Sequence, residues 1–350
     1  MKLVVLNRYD ELGASSRVRF YDLYAYFMEG FDEVVSHPLI SNNQLRRLYQ
    51  GKGYSFIPLI YAYFKRLFLV ISASQNDILF IEKELFPYIP AWFELFLLRK
   101  RKYILDYDDS IFHNYDLNTS LFIKKLLGRK IDMLMLNAQK VLCGSHYLLE
   151  RAIASGSKKN YLIPTVVSAK KYIKVSKDTG QGVPVIVWIG TPKTIKYVNI
   201  IKEVLKKLAA ETEFIFRIIG AHTFEIEGVK LERFEWSAKE EVKLIAGSDI
   251  GIMPLENTPW EKGKCGYKLI QYMACGLPVV GSAIGENNYI IDETCGFLAS
   301  TDDEWHAALL TLLKNQTLRE KMGNNGRKKV IASYTDEVVG PQILMHLNQV

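Results

Sequence analysis

Two stretches of this chain hold side chains in patterns that packing alone does not require. The first is EKGKCGYKLIQYMACGLPVVGSAIGENNYII, residues 261 to 291. Gly263 and Gly266 would let the backbone approach a ligand closely. A helix opening near Gly266 would present free N–H groups, which favour an anion. Lys264 precedes that start and Lys268 falls in the first turn, where the helix dipole prefers acids. An anion held among these charges would account for both. Lys268 and Gln271, three residues apart, share one helix face, and Gly276 and Pro278 end the helix. The plain alternative is a core helix with solvated lysines. The second stretch is DYDDS. Asp106, Asp108 and Asp109 crowd like charges at the end of a strand, which raises at least one carboxyl pKa where burial is partial. Such a carboxylate can orient or deprotonate a hydroxyl, or chelate a metal. The alternative is a cap for the helix that SIFHNY would form.

Strand-like and helix-like runs alternate from end to end, and these elements must position both stretches. KLVVLN, DILFIEKE, KYILDYDDS and KVLCGSHYLLERAIASG read as strands that feed turns and helices. After LIPTVVSAKKYIKVSKDTGQGVP the alternation restarts with PVIVWIG, NIIKEVLKKLAAET, EFIFRIIG, SAKEEVKLIAGS, DIGIMPL and PVVGS. In SAKEEVKLIAGS, Ser237 is the expected N-cap, with Glu240 at the capping-box position. This order predicts an α/β protein with two Rossmann-like domains facing across a cleft. The expected division is an N-terminal domain over 1–165, a linker over 166–182, a second domain over 183–335, and a C-terminal helix over 336–350 that packs back on the first domain. At about 150 residues per domain, 350 residues suit two.

Charge is uneven. Residues 1–165 carry 22 Lys and Arg against 16 Asp and Glu, and the remainder carries 23 against 22. The basic first half suggests an anionic partner or surface. FPYIPAWFELFLLRKRK and YAYFKRLFLV set aromatics beside bases and suit an anionic membrane surface, with core helices as the plainer reading. The bases are dispersed and no nucleic-acid module is present, so nucleic acid is excluded as a partner. Cys143, Cys265, Cys275 and Cys295 form no CxxC pair and no His clusters near them, which argues against a metal site or disulfide framework and for a reducing cytoplasm. The N-terminus reads as a strand and not as a signal peptide. The longest apolar run is split by Lys65 and Arg66, so no spanning helix is expected. NRYDELGAS after the first strand lacks the dinucleotide fingerprint, which disfavours a nicotinamide oxidoreductase.

GYKLIQYMACGLPVVGS, followed by GENNYII and CGFL, resembles the nucleotide-binding segment of the family 4 retaining glycosyltransferases, which have the GT-B fold. GASSRVRFY, FIEKELFP, ILDYDDSIF and VWIGTP resemble further segments of one branch in the same order, so the resemblance covers most of the chain. It implies transfer of a sugar from a nucleotide diphosphate sugar to a hydroxyl of a glycan or lipid-linked acceptor, with no metal or other cofactor. The acid that contacts the donor ribose in the family is Gln271 here. The family's first acid falls at Gly263, with Glu261 out of register, and its arginine after the glycine of the second-domain strand is Thr191. The donor-binding residues expected are Gly13, Arg17, Gly190, Lys193, Lys196, Lys264, Lys268, Gln271, Glu286 and Asn287, the last two at a second helix start after Gly285. For Gly13 and Arg17 the plainer reading is a strand-to-helix turn capped by Ser15 or Ser16. Asp108 and Asp109 are the catalytic candidates. Lys83, Glu84 and His113 are placed on the acceptor side, although a solvent-facing pair is the common fate of a Lys–Glu dipeptide and a lone His is more often structural. The expected setting is cytoplasmic, at the inner face of a membrane. A sugar-nucleotide epimerase of similar fold and a silent sugar-nucleotide-binding protein are the alternatives. The first would turn over donor without acceptor; the second would bind donor without transfer or hydrolysis.

Overall fold

The computed structural model describes residues 1–172 and 182–349. They form two compact units. One comprises Met1–Thr165, Lys262–Cys265 and Asp336–Val350; the other comprises Val166–Glu261 and Gly266–Thr335. Of the expected linker over 166–182, residues 173–181 lie outside the described residues. Val167 bridges to Thr335 and Tyr172 is buried, so this part of the stretch is packed in the second unit.

In the first unit, strands β1 (Lys2–Leu6), β2 (Glu33–Ser36), β3 (Ile78–Glu82), β4 (Lys102–Tyr107), β5 (Lys140–Cys143) and β6 (Asn160–Leu162) form one sheet in the order β2-β1-β3-β4-β5-β6. Every pairing is parallel. Continuous apolar runs such as Ile78–Ile81 are what a strand needs when helices cover both faces, and all four of these residues are buried. Strand order reverses between β1 and β3. The crevice at the carboxyl ends of the strands flanking such a reversal is where open α/β sheets receive ligands. Helix Asp336–Asn348 belongs to this unit: Lys140 donates to the His346 carbonyl at 2.7 Å, and the His346 ring stacks on Tyr161 at 3.9 Å.

In the second unit, β7 (Val185–Ile189), β8 (Ile215–Ile219), β9 (Lys230–Phe234), β10 (Ile250–Met253), β11 (Val279–Ser282) and β12 (Gly296–Ala299) form a second parallel sheet, ordered β12-β11-β10-β7-β8-β9. Here the reversal lies between β7 and β10. Alternate residues of β7 feed two cores: Ile186 and Trp188 pack with Leu205 and Leu309, whereas Val187 and Ile189 pack with Leu269 and Tyr272. Helix Tyr267–Ala274 begins at Gly266, as its sequence predicts. Gly266 has φ +64°, the left-handed region that glycine enters without cost. Thr301 and Glu304 form a capping box for helix Asp302–Lys314. Ser237 does not cap the next helix directly. Its Oγ accepts the Glu240 N–H at 3.2 Å in a preceding turn, and helix Glu241–Ala246 starts one turn later.

Candidate functional site

At the first unit's reversal, charged side chains are buried against one another. Glu82, at the end of β3, is fully buried and accepts three hydrogen bonds: the Arg8 N–H at 2.7 Å, Ser16 Oγ at 2.5 Å and Ser15 Oγ at 3.1 Å. Ser15 and Ser16 therefore do not cap helix Ala14–Arg19. Gly13 holds the cap position, and the two hydroxyls turn to β3 instead. A Cβ at Gly13 would come within 2.3 Å of Tyr9 Cβ, so this turn is closed by contact and not only by flexibility. Arg17 lies in the last turn of the same helix and is half-buried.

Lys83 and Glu84 are not a solvent-facing pair, because both are buried. Lys83 sits at φ +68°, a strained backbone for a lysine. That bend aims Nζ at Asp108 (2.9 Å), at Ser15 Oγ (2.9 Å) and, farther off, at Asp109 (3.7 Å) and Glu82 (3.9 Å). Glu84 turns elsewhere. It pairs with Lys130 at 2.6 Å and accepts the Tyr115 hydroxyl at 2.8 Å, and Arg8 lies 3.5 Å away. Lys130 also reaches Glu94 at 2.8 Å, and Glu94 accepts the backbone N–H groups of Leu85 and Phe86 at 3.0 Å. These fixed carboxylates hold the loop after β3 in its bent path.

The three aspartates of DYDDS have separate fates. Asp106 points to Arg19, which binds it through two nitrogens at 2.5 and 3.0 Å and donates to the Ile163 carbonyl at 2.7 Å. Asp108 is gripped by Lys83 and by the Ser15 hydroxyl. Burial works against its charge, but Lys83 and Ser15 hold the carboxyl below its usual range. Asp109 keeps 32% of its side chain exposed. Burial and the neighbouring Asp108 charge raise its pKa, against the pull of Lys83 and Lys264. Neither aspartate caps the next helix, His113–Asp116, whose N-cap position is Phe112. His113 is a buried link: Nδ1 lies 2.7 Å from Asp116 and Nε2 2.9 Å from the Tyr147 hydroxyl.

Gly263 packs on Ser110, and a Cβ there would stand 2.5 Å from Ser110 Cβ, so no acidic side chain fits this position. Its carbonyl accepts from Ser145 Oγ at 3.4 Å, and Cys265 Sγ donates to the Asp108 carbonyl at 2.9 Å. Lys264 thus lies in the first unit, with its charge acting on Asp109.

Lys268 lies in the second unit. Nζ of Lys268 stands 4.6 Å over the buried Trp188 ring, a cation–π contact that favours a cation in this first turn. Gln271 does not share an open face with Lys268. It is buried and donates to the Tyr172 hydroxyl at 2.6 Å. Tyr172 in turn donates to Glu241, which also receives Lys171 and, at 2.7 Å, Trp236 Nε1. Glu261 is likewise buried and accepts the Tyr197 hydroxyl at 2.5 Å. Glu286 and Asn287 are buried at the start of the four-residue helix Asn287–Ile290. The N–H groups of Asn287 and Asn288 bond to the Ile284 and Gly285 carbonyls.

The loop after β7 is the open part. Gly190 bonds to the Ile219 carbonyl at 2.9 Å, exposed Thr191 donates its N–H to Thr194 Oγ1 at 3.0 Å, and Lys193 is exposed. Lys196 pairs loosely with Glu256 at 3.6 Å. Beside them lies a cavity of about 370 Å3 lined by Pro192, Ile195, Lys196, Asn199, Lys202, Thr223, Phe224 and Glu225. Sequence reasoning did not find Arg8, Glu82, Glu94 or Lys130. The one signal for them was charge inside otherwise apolar segments, as at Glu94 in AWFELFLL.

Residues 183–315, less than half of the chain, match the family model described as Glycosyl transferases group 1. No curated protein matches the chain in sequence. Its fold is similar to that of Anabaena HepE in complex with UDP (15% identity, all of both chains, TM-score 0.74). It is also similar to sucrose-phosphate synthase from Thermosynechococcus elongatus (13% identity, 100% of this chain and 98% of that one, TM-score 0.72). A glycosyltransferase from Rickettsia africae shares the fold as well (14% identity, 99% and 98% covered, TM-score 0.70). At such identities the likeness is one of fold, and the fold is that of the GT-B glycosyltransferases. The matched segment and this fold together support a glycosyltransferase.

Proposed function

We propose that the chain is a retaining glycosyltransferase that moves a sugar from a nucleotide diphosphate sugar to a hydroxyl of a glycan or lipid-linked glycan. The observation that supports transfer to a hydroxyl is the split between Asp108 and Asp109; retention rests on the resemblance alone. One carboxylate is locked by Lys83 and Ser15. The other is partly exposed and has its proton affinity raised by burial and by its neighbour. A base that accepts a proton from an acceptor hydroxyl needs both accessibility and raised affinity. Asp109 takes that role here, and Asp108 with Lys83 positions it. The donor belongs to the second unit, where the family match lies. HepE of the same fold binds UDP and UDP-glucose, which supports a nucleoside diphosphate sugar as the donor class. Lys268, at the opening of helix Tyr267–Ala274, is assigned to the diphosphate, whose charge grows as the sugar leaves.

A thermal-shift panel of nucleoside diphosphates on the full chain tests the donor half. A ligand at about 100 times its Kd adds about 2.7 kcal/mol of stability. No shift with any nucleoside diphosphate overturns the reading. Donor turnover without an acceptor, giving an isomerised sugar, would replace it with the epimerase.

A further inference from the structure

Helix Phe56–Ser72 wears its apolar face outward. Phe56, Ile57, Tyr61, Phe64, Phe68 and Ile71 recur at helical spacing, and each exposes more than half of its surface; Phe68 stands 71% open. A surface helix normally turns such a stripe to the core. Here the opposite face does the packing. Val70 and Arg66 are buried, and Tyr63 stacks near Phe86 at 5.6 Å. Arg66 donates to the carbonyls of Asn7, His37 (2.6 Å) and Leu85 (3.3 Å), which follow β1, β2 and β3. The helix is therefore stapled to the carboxyl ends of these strands, beside the crevice that holds Lys83 and Asp108. The apolar surface continues onto helix Ala91–Leu98, where Trp92 is 67% exposed and Phe96 lies 4.1 Å under the Arg99 guanidinium.

The charge on this face has one sign. From Gly51 to Gln75 the chain contains no Asp or Glu, while Lys52 and Lys65 are exposed. Glu94, the acid of the neighbouring helix, is buried and already bonded, and Arg99 and Lys100 lie exposed at that helix's end. An aromatic stripe with cations and no anions suits the boundary of an anionic bilayer, where rings enter the headgroup layer and bases stay among the phosphates. A second copy of the chain would bring like charges together, and no helix of the described residues is long and apolar enough to cross a membrane.

We infer that the outward face of helix Phe56–Ser72, with Trp92 and Phe96, docks the first unit on an anionic lipid surface, so that the acceptor is a membrane-borne, lipid-linked molecule presented at the β1–β3 crevice. The acceptor part rests on the glycosyltransferase reading; the docking part does not. Flotation of the full chain with vesicles of phosphatidylglycerol and phosphatidylcholine, against phosphatidylcholine alone, measures docking without any donor or acceptor. The parent protein floats with the anionic vesicles, and salt releases it in part. The double substitution Phe64→Ser and Phe68→Ser lowers the bound fraction at least about tenfold, since each ring contributes burial free energy in the lipid. Ile331→Ser, at another exposed apolar site, in the second unit, floats as the parent does. Equal melting temperatures of parent and double variant show that the loss is not unfolding. Failure to float with anionic vesicles, flotation of the double variant equal to the parent, or a parent dimer that the double variant turns into a monomer would each overturn the inference. Docking together with no response to any nucleoside diphosphate would leave the lipid surface standing and remove only the transferase reading.

Discussion

At the end of β3 the first unit sets Glu82, Lys83 and Glu84 in three consecutive buried positions, whereas at the end of β7 the second unit sets Gly190, Thr191 and Pro192. Both places are strand-order reversals in parallel sheets of the same size. The first is filled by charges that satisfy each other, and removal from water makes each of them depend on a fixed partner. The second is an open loop of Gly190, Thr191 and Pro192 beside a cavity lined by Lys196, Lys202 and Glu225 among neutral groups. The same topology thus supports two kinds of site. Proton affinities are set by burial in one, and exposed backbone and loosely held lysines stand open in the other.

Five substitutions break or sharpen this contrast. The largest effect is expected at Arg19→Leu, which leaves Asp106 buried without its two-pronged partner. Loss of one member of a buried pair costs about 3–5 kcal/mol, to be read from denaturant unfolding. A loss below about 1 kcal/mol would show that the first unit does not rely on its buried charges. Next comes Asp109→Asn, which keeps the side-chain volume and removes the base. Sugar transfer should fall about 100-fold or more, while calorimetry with the nucleoside diphosphate should be unchanged; parental turnover would strip Asp109 of its role. Its pH profile carries a sign. A general base works when deprotonated, so the rate should climb with pH through a point above the ordinary aspartate value of about 3.9, because burial and Asp108 raise that carboxyl. Asp108→Asn removes the neighbouring negative charge and should move the inflection to lower pH. An unmoved inflection would mean that the two carboxylates do not sense each other.

In the second unit, Lys268→Ala should weaken nucleoside diphosphate binding by about tenfold and nucleoside binding far less, as expected for a lost charged hydrogen bond. Equal loss for both ligands would reduce Lys268 to its stacking on Trp188. The smallest effect is expected at Lys196→Ala. Its pair with Glu256 is exposed on both sides, and such pairs contribute about 0–1 kcal/mol. A melting-temperature change comparable with that of Arg19→Leu would erase the difference between the two regions.

The main strands and their alternation with helices were legible because uninterrupted apolar runs and the helix start at Gly266 are local properties of the chain, whereas β2, β6, β9 and β12, each of three to five residues, carry no such run and were not read. The positions of Asp108 and Asp109 after the end of β4 were legible for the same reason, since a strand that ends in DYDDS must place its carboxylates at the carboxyl end of the sheet. Partner choice was not legible. Lys83 and Glu84 looked like an exposed pair because the common fate of adjacent Lys and Glu is solvent. Their burial depends on Asp108, Lys130 and Glu94, all more than nine positions away along the chain or on other elements. Gln271 looked like a ligand contact from the resemblance, and its amide donates to Tyr172, 99 residues away.

By itself the sequence determined the alternation of elements, the glycine that opens helix Tyr267–Ala274 and the excess of positive charge in the first half. These follow from backbone sterics, hydrophobic periodicity and composition, which act over a few residues or none. Only the tertiary structure decided that Gly263 abuts Ser110, that Asp108 is locked while Asp109 is open, and that the aromatic stripe of helix Phe56–Ser72 faces away from the core. Each of these depends on which groups meet after the sheets have formed, and therefore on desolvation and on partners that no local pattern encodes.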